Sequence, residues 1–394
     1  MLTTEEKLLL KIQTLTFIAS ALAGGFVQIY IFKLTGFTGV VFYNLIAYSF
    51  LLVTYILSGY ILRRYSTAVL IRCGLFITTT SYLLLILLKE NAVHYLPVLG
   101  MISGIAMGSF YSGFNLSQYI LTHSHSRDHY FGKGQVFINL SYAIGPLIGG
   151  ALISSINTVF NQNYVGYYVI FLIVVMINGY AFFVAKNIPH HTGIEFSFKD
   201  LLTHQRSKKW QAVLLQNINI GLYDVAYGTM FATLLYVIIG KESQIGIIRS
   251  CIMLLTAVVS FYAGKVISRF KKMYIFGAIG VTVSIIAFAL QQTWLGIVLY
   301  GFFNGISAPF LNIPLSSVVL NTIDENKEIW QRKYAMFIER DGVLGIARVI
   351  SYLVLFLLFS RFNKNVIAEN SLVVMSIFPL ILGILLFKTT KRSS

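Results

Sequence analysis

The sequence predicts an all-α integral membrane protein, with twelve transmembrane helices in two pseudo-symmetric six-helix bundles. Of its 394 residues, 57% are hydrophobic and only 11% are charged, whereas a soluble globular domain averages roughly 25% charged residues. Apolar runs of about 20 residues, the length that crosses a bilayer, recur along the whole chain. Because these runs leave no room for a sizeable soluble domain, any functional site must lie in the helices or their loops.

The helices are predicted from hydropathy, which divides the chain into twelve spans. They lie at residues 12–32, 39–62, 68–88, 93–120, 135–156, 164–185, 211–239, 245–267, 273–291, 294–320, 336–359 and 371–387. The longest polar stretch, at 186–210, is the predicted cytoplasmic linker between an N-terminal bundle at 1–185 and a C-terminal bundle at 211–394. Within this linker, the residues FKDLLTHQ predict a short amphipathic helix.

The two bundles resemble each other in sequence. The segment SGIA at 103–106 in the fourth span corresponds to NGIS at 304–307 in the tenth, an offset of about 200 residues. This correspondence indicates a duplicated six-helix unit. In transporters built from such repeats, the substrate site lies between the repeats near the midplane of the membrane.

The basic residues predict the orientation of the chain. Its net charge of +16 is dispersed among short loops, so we expect no nucleic-acid partner. Both termini are predicted to be cytoplasmic in the cell membrane, because this choice places most Lys and Arg on the inner side. The N-terminus, MLTTEEKLLLK, lacks a signal-peptide pattern, so we expect an uncleaved first helix. Only five basic residues fall on the outer side: Lys33, Lys89, Lys241, Arg361 and Lys364.

The stretch from 127 to 150 carries two motifs, a polar loop with R-x-x-x-x-G spacing and an apolar segment GPLIGG. A Pro inside a membrane helix frees a carbonyl one turn earlier, and glycines let a neighbouring backbone approach closely. GPLIGG therefore predicts a bent, closely packed helix at which a bundle can flex. The motif residues, assigned to gating or structure, are Arg127, Gly132, Gly145, Pro146, Gly149 and Gly150.

This combination of motifs resembles the major facilitator superfamily of secondary transporters, and in particular its poorly characterised members from Gram-positive bacteria. The resemblance implies the major facilitator fold, in which two six-helix bundles rock about a site near the midplane. In that family the motif G-P-x-x-G-G is found chiefly among proton-coupled exporters. We therefore expect a monomer in membrane lipid, with a small-molecule or amphiphilic substrate and a proton as coupling ion.

A polar and aromatic face on the predicted seventh helix is the sharpest candidate site. Asp224 lies near mid-span, where a charge costs several kcal/mol unless it is paired or hydrated. It is either a proton carrier or a counter-charge for a cationic substrate or an arginine, and a structural role, capping a kink or pairing with an Arg, stays open. By helical spacing, the residues of this face are Gln216, Asn217, Tyr223, Asp224, Tyr227 and Phe231.

The fourth and tenth predicted helices carry further polar groups. In the fourth, small residues are followed by amides, which suits a helix that lines a cavity or one that packs by hydrogen bonds. In the tenth, two prolines five positions apart predict a broken helix with freed carbonyls. The two sets are Gly104, Gly108, Tyr111, Asn115 and Gln118, and Asn304, Pro309, Asn312 and Pro314.

The eleventh predicted helix opens with the charged residues Glu339, Arg340 and Asp341. They lie near the cytoplasmic end, where a gate salt-bridge network or snorkelling at the interface is expected. Arg348 lies deeper and is the better candidate for a substrate contact. Arg249, about one turn into the eighth helix, is an expected outer gate or anion contact.

The favoured function is a proton-coupled exporter of a small organic solute, working by alternating access. One alternative is a flippase for a lipid-linked or anionic amphiphile, whose head group would pass Arg348 and Arg249. A second is a non-transporting membrane sensor or scaffold. The sequence holds no catalytic or phosphate-binding motif, so an enzyme is not expected. Cys73 and Cys251 are far apart, and neither a disulfide, a metal site nor a cofactor is expected.

Overall fold

The computed structural model describes residues 2–122, 127–203, 206–270, 272–325 and 330–391, and the side chain of Arg127 lies outside the described part. These residues form thirteen α-helices and two short 3-10 turns, with no strand among them. The helices are α1 (Thr4–Ile61), α2 (Thr67–Leu88), α3 (Leu96–Leu121), α4 (Arg127–Phe160), α5 (Val165–Val184), α6 (Phe198–Thr203), α7 (Lys208–Ile239), α8 (Glu242–Arg269), α9 (Met273–Leu290), α10 (Trp294–Glu325), α11 (Trp330–Arg361), α12 (Lys364–Met375) and α13 (Ile377–Lys391).

Ten segments of the described chain are long and apolar enough to cross a membrane, and two of them are of double length. The segment Thr4–Ile61 has 58 residues and Thr67–Leu121 has 55, whereas about 20 residues suffice for one crossing. Within α1 the backbone breaks at Gly36, with φ 69° and ψ −167°, a conformation that is essentially restricted to glycine. The break falls between the first two predicted spans. The count of twelve crossings stays a prediction.

The start of α1 shows why these residues form a helix. The backbone N–H of Glu6 donates to the Thr3 hydroxyl at 3.1 Å, and the Glu6 carboxylate accepts from the Thr3 N–H at 2.8 Å. This reciprocal capping box satisfies two N–H groups that have no partner within the helix. The short helix expected in the linker is observed as α6, although the last two residues of FKDLLTHQ lie outside the described part.

The prediction of a broken tenth helix is wrong, because α10 is continuous through Pro309 and Pro314. Tight packing accounts for the difference. A Cβ at Gly277 of α9 would lie 2.6 Å from the backbone nitrogen of Leu311, so α9 supports the turn between the two prolines. Membrane helices tolerate proline where neighbouring helices hold the turn in this way.

The last predicted span is divided into α12 and α13 at Ser376. Thr282 of α9 donates to the carbonyl of Ser376 at 3.0 Å, and Asn219 of α7 donates to that of Phe378 at 2.9 Å. Two polar side chains of neighbouring helices therefore bind the backbone where α13 begins.

The chain divides into two compact units. Unit 1 comprises Met1–Phe198, Lys241–Ser250 and Trp330–Ile338, and unit 2 comprises Lys199–Gly240, Cys251–Ile329 and Glu339–Ser394. The first residues of α8 and of α11 thus belong to unit 1, and the rest of each helix to unit 2. The predicted domain boundaries stay a prediction.

The core of unit 1 draws on its first five long helices. Leu9 of α1, Ile71 of α2, Phe110 of α3, Tyr130 of α4 and Ala181 of α5 belong to one buried cluster. Glycines on α3 bring it close to the second half of α1. A Cβ at Gly108 would lie 2.9 Å from the carbonyl oxygen of Leu51, so these predicted small residues serve helix packing.

Candidate functional site

Unit 2 holds an ion pair between α7 and α11, formed by two of the predicted site residues. Nη2 of Arg348 lies 2.5 Å from Oδ2 of Asp224, and its Nε lies 3.4 Å from Oδ1. The side chains of Arg348 and Asp224 are 20% and 25% exposed. Oδ1 also accepts from the N–H of Val225 at 2.6 Å. The carboxylate is therefore held on both oxygens, and it points at the partner helix.

Close contacts between α7 and α11 fix the geometry of this ion pair. At Gly221, a Cβ would lie 2.5 Å from the carbonyl oxygen of Leu344, so only glycine allows this approach. One turn beyond the pair, Ser351 donates to the carbonyl of Leu222 at 2.8 Å. Tyr352 donates to the carbonyl of Val225 at 2.9 Å. Contacts on both sides of the ion pair thus hold the two helices in register.

Aromatic side chains of α7 on either side of Asp224 pack against other aromatic rings. Tyr223 stacks on Phe378 with ring centroids 6.0 Å apart and planes at 4°. Tyr227 packs against Tyr300 at 6.2 Å, and against Phe231 at 6.0 Å. These rings lower the local dielectric constant, which strengthens the attraction between the two charges.

Two other predicted residues of unit 2 do not join this pair. Asn217 is buried, and its side-chain nitrogen donates to the carbonyl of Val213 on its own helix at 2.8 Å. Asn312 of α10 is exposed. Their proposed contact with substrate stays a prediction.

The ion pair places a negative and a positive group where charged ligands can compete for them. A cation that approaches Asp224 competes with Arg348, and an anion that approaches Arg348 competes with Asp224. The arrangement therefore suits the binding of a charged ligand.

Unit 1 contains a cavity of about 160 Å³ between α1 and α3, lined by aromatic rings and by a few amide and hydroxyl groups. It brings the predicted residues Asn115 and Gln118 together with Gln13 and Thr16. Asn115 donates to the Tyr55 hydroxyl at 3.3 Å. Sequence reasoning missed Gln13, because an amide near the start of the first helix is ordinarily an interfacial group. Gln13 lies three residues before Thr16, so the two side chains share one face of the helix, and this was the available sequence signal.

The GPLIGG segment of α4 packs on α1 and on the beginning of α8. A Cβ at Gly149 would lie 2.6 Å from the carbonyl oxygen of Leu22, and Gly145 packs against Ala21. Gly150 faces Gly246, where an added Cβ would lie 3.2 Å from the Gly246 Cα. Each glycine thus allows a close approach, and Pro146 lies within the helix between them. Gly132 of the other motif faces open space.

A second ion pair, which the sequence analysis missed, lies where α8 begins. Nζ of Lys33 lies 3.1 Å from Oε1 of Glu242, and the Tyr167 hydroxyl donates to the same oxygen at 2.8 Å. The Lys33 and Glu242 side chains are 14% and 10% exposed. Nζ also lies 5.2 Å from the ring centroids of Tyr164 and Tyr167, within cation–π range. Burial, and then the nearby charge of Glu90, raises the pKa of Tyr164.

Arg249 lies in the same part of unit 1 and packs against the backbone of α1. A Cβ at Gly25 would overlap its guanidinium group, whereas the space beside Gly24 is open. Arg249 is thus half-buried against a glycine. Its expected roles as an outer gate or anion contact stay predictions.

The charged residues that open α11 have separate partners. Glu339 forms an ion pair with Nε of Arg206 and accepts from Nε1 of Trp210 at 2.8 Å. Asp341 instead accepts from its neighbour Arg340 at 2.8 Å. The cluster therefore ties α11 to the start of α7, and its gating role stays a prediction.

Comparison with known proteins gives a family and a fold. A model of the Major Facilitator Superfamily matches residues 9–240. The chain is 23% identical over 383 residues to the uncharacterized protein YqgE of Bacillus subtilis (strain 168), covering 95% of this chain and 87% of that protein.

Two solved structures are similar along almost the whole chain. A structure of the nucleoside transporter NupG aligns with a TM-score of 0.70 at 12% identity, covering 98% of this chain and 100% of that one. A bacterial homologue of the iron transporter ferroportin, in its inward-facing state, aligns with a TM-score of 0.70 at 14% identity, covering 98% of both chains. At such low sequence identity, the similarity to these two structures shows a shared fold only.

Proposed function

The chain belongs to the Major Facilitator Superfamily, and from that premise we propose that it is a secondary active transporter that exports a small organic solute in exchange for protons. The family and the solved neighbours are membrane transporters and not enzymes. One neighbour is a nucleoside transporter and another is a homologue of an iron transporter. Since transporters of such different solutes share this fold, the substrate of this chain must be inferred from its own site.

The ion pair of Asp224 with Arg348 is the observation that carries the proposal. Charges inside a membrane bundle are costly, and those that persist generally belong to a substrate or ion pathway. Here the acid is partly exposed and lies on a face of aromatic rings. It can therefore take up a proton without unfolding the bundle.

The exchange follows from the charge state of Asp224. When a proton binds the carboxylate, the ion pair with Arg348 weakens because one charge is lost, and the solute is released. When the proton leaves, the ion pair forms again and the solute binds through other contacts in the bundle. Proton and solute thus bind in turn, as an exchanger requires.

Alternating access requires contacts that open in turn at the two ends of the bundle. Within unit 1, Lys33 binds Glu242 of α8, and Ser58 lies 2.9 Å from the hydroxyl of Tyr334 of α11. Ser58 follows the break at Gly36 by 22 residues, about 33 Å of helix. We assign the contact of Lys33 to the outer gate and that of Ser58 to the inner gate.

The proposed topology has twelve crossings, since the two double-length segments each cross twice. Both termini are cytoplasmic, in agreement with the positive-inside rule, and the protein is a monomer in the cell membrane. On this topology Lys33 and Glu242 lie outside, and Glu339 and Arg206 lie inside.

The structure favours the exporter over the flippase. A flippase would present Arg348 and Arg249 to an anionic head group, but Arg348 contacts Asp224 and Arg249 packs against Gly25. The sensor or scaffold has the least support, since the relatives of known function are transporters.

The test uses purified protein in liposomes that contain a pH-sensitive dye. Soluble cations, organic anions and sugars are first screened by thermal unfolding, where a ligand at 100 times its Kd stabilises the fold by about 2.7 kcal/mol. The solute that stabilises is then applied across the membrane. Wild type should move protons in exchange, whereas Asp224→Asn should lose proton movement and retain solute exchange.

The matched control is Glu369→Gln, which neutralises an exposed carboxylate of unit 2. It should behave as wild type. If Asp224→Asn loses both activities, or neither, then Asp224 is not the coupling residue.

A further inference from the structure

A groove of about 720 Å³ lies between the first turns of α1 and α4, away from the ion pairs described above. Its rim carries Lys7 and Lys11 of α1, with His129 and Lys133 of α4. The members of each pair are four positions apart, so they project from one face of their helix. Three lysines from two helices therefore face one opening.

These lysines have few partners of opposite charge. Lys7 and Lys133 contact no carboxylate among the described residues, and Lys11 donates to the Tyr180 hydroxyl at 2.7 Å. Glu6 is buried and engaged in the capping box of α1. Lys7 and Lys133 are exposed, so their charges are open to an anionic ligand.

Beyond the lysines, the groove is lined mainly by apolar side chains. One turn beyond the lysines the lining changes to Leu15 on α1 and to Val136 and Phe137 on α4. Val136 and Phe137 are exposed. The floor is open at Gly132, where a Cβ would meet no atom within 4 Å. A cationic rim above an apolar wall matches the chemistry of a lipid, with its head group at the surface and its chains below.

We propose that this groove binds an anionic phospholipid of the surrounding bilayer. Its phosphate group lies among Lys7, Lys11 and Lys133, and an acyl chain follows Leu15, Val136 and Phe137. On the proposed topology the lipid belongs to the cytoplasmic leaflet, where anionic head groups attract lysines. The site depends on the membrane location of the chain and is independent of the transported solute and of proton coupling. It gives Gly132 of the R-x-x-x-x-G motif a role, since a bulky side chain there would occupy part of the groove.

The experiment measures lipid binding to the intact protein in neutral detergent by native mass spectrometry. The probes are phosphatidylglycerol, phosphatidylcholine with the same acyl chains, and soluble glycerol phosphate. Each lysine is expected to contribute about a fivefold gain in affinity for phosphatidylglycerol. The triple variant Lys7→Gln, Lys11→Gln, Lys133→Gln should therefore bind it about 100-fold more weakly.

The matched control changes three exposed lysines outside the groove, Lys186→Gln, Lys272→Gln and Lys388→Gln, and should bind as wild type. A second variant, Gly132→Trp, keeps every lysine and should lose the lipid because the ring occupies the groove. This variant decides the question if the triple variant does not fold.

Three results would overturn the proposal. Equal weakening in both triple variants would mean that only net charge matters. Equal affinity of wild type for phosphatidylcholine would remove the role of the anionic head group. Equal affinity for glycerol phosphate would indicate a site for free anions.

Discussion

Arg348 of α11 lies 2.5 Å from the carboxylate of Asp224 on α7, although 124 positions separate the two residues. Both charges are partly buried, and each supplies the partner that the other needs in a medium of low dielectric constant. This pairing predicts how variants of the two residues combine.

Neutralising either residue alone should destabilise the protein, and neutralising both should cost less than the sum. Asp224→Asn or Arg348→Gln leaves one charge without its partner, which costs about 3 kcal/mol in comparable buried pairs. A double-mutant cycle followed by thermal unfolding should give a coupling free energy of about 1–3 kcal/mol. Strictly additive effects would show that the pair contributes no mutual stabilisation.

Glu242→Gln should weaken the proposed outer gate. The change removes the ion pair with Lys33, while the amide oxygen can still accept from Tyr167. We expect several-fold faster labelling of Ser243→Cys by a membrane-impermeant maleimide, in a background without the exposed native cysteines. Lys241→Gln, which changes the adjacent exposed charge, is the control and should leave the labelling rate unchanged. Equal acceleration in both variants would argue against the ion pair as the gate.

Gly25→Ala and Gly24→Ala should differ in their effects on stability. A methyl group at Gly25 overlaps the guanidinium of Arg249, whereas the space beside Gly24 is open. Because the overlapping atoms lie at the end of a flexible side chain, Arg249 can turn aside, and Gly25→Ala should lose the contact of Arg249 with α1. At Gly24 the better helix propensity should stabilise by about 0.5–1 kcal/mol. Thermal unfolding of the two variants checks this, and equal stabilisation by both would be contrary to the packing described.

Two ion pairs near the start of α7 should differ in strength. Glu339, 11% exposed, binds Arg206 and also accepts from Trp210, whereas Glu325, 58% exposed, binds Lys209 alone. Glu339→Gln should cost about 1–3 kcal/mol, and Glu325→Gln less than about 0.5 kcal/mol. Trp210 fluorescence reports the environment in which Glu339 lies, and its emission should shift only in the first variant.

The sequence predicted much of the fold, because hydropathy is local information. The all-helical character of the described residues and the presence of helices able to span a membrane are confirmed, and α7 at Lys208–Ile239 is close to the predicted 211–239. The sharpness of the break at Gly36 was not predictable, since hydropathy shows where a span ends but not the backbone angles between two spans. Nor was the continuity of α10, which depends on packing against Gly277 of α9.

The sequence predicted individual residues of the candidate site but not the contacts between them. Asp224 and Arg348 were identified because charges are rare inside spans, but a single sequence does not show which charges meet. Glu242 and Lys33 were missed for a related reason: each lies near a helix end, where a charge is ordinary. Arg206 was part of a polar linker, and its contact with Glu339 depends on tertiary packing.

The contact of Gly150 with Gly246 bears on the kinetics of the proposed outer gate. Because neither residue has a side chain, the two backbones can separate with little change in apolar area and with no change of rotamer. The ion pair of Lys33 with Glu242 therefore contributes most of the free-energy barrier to opening. Once these charges are apart and hydrated, salt screens the attraction that brings them together again. A higher ionic strength outside the cell should lower the rate of closing more than it changes the rate of opening. The gate should therefore be open for a larger fraction of the time in concentrated salt.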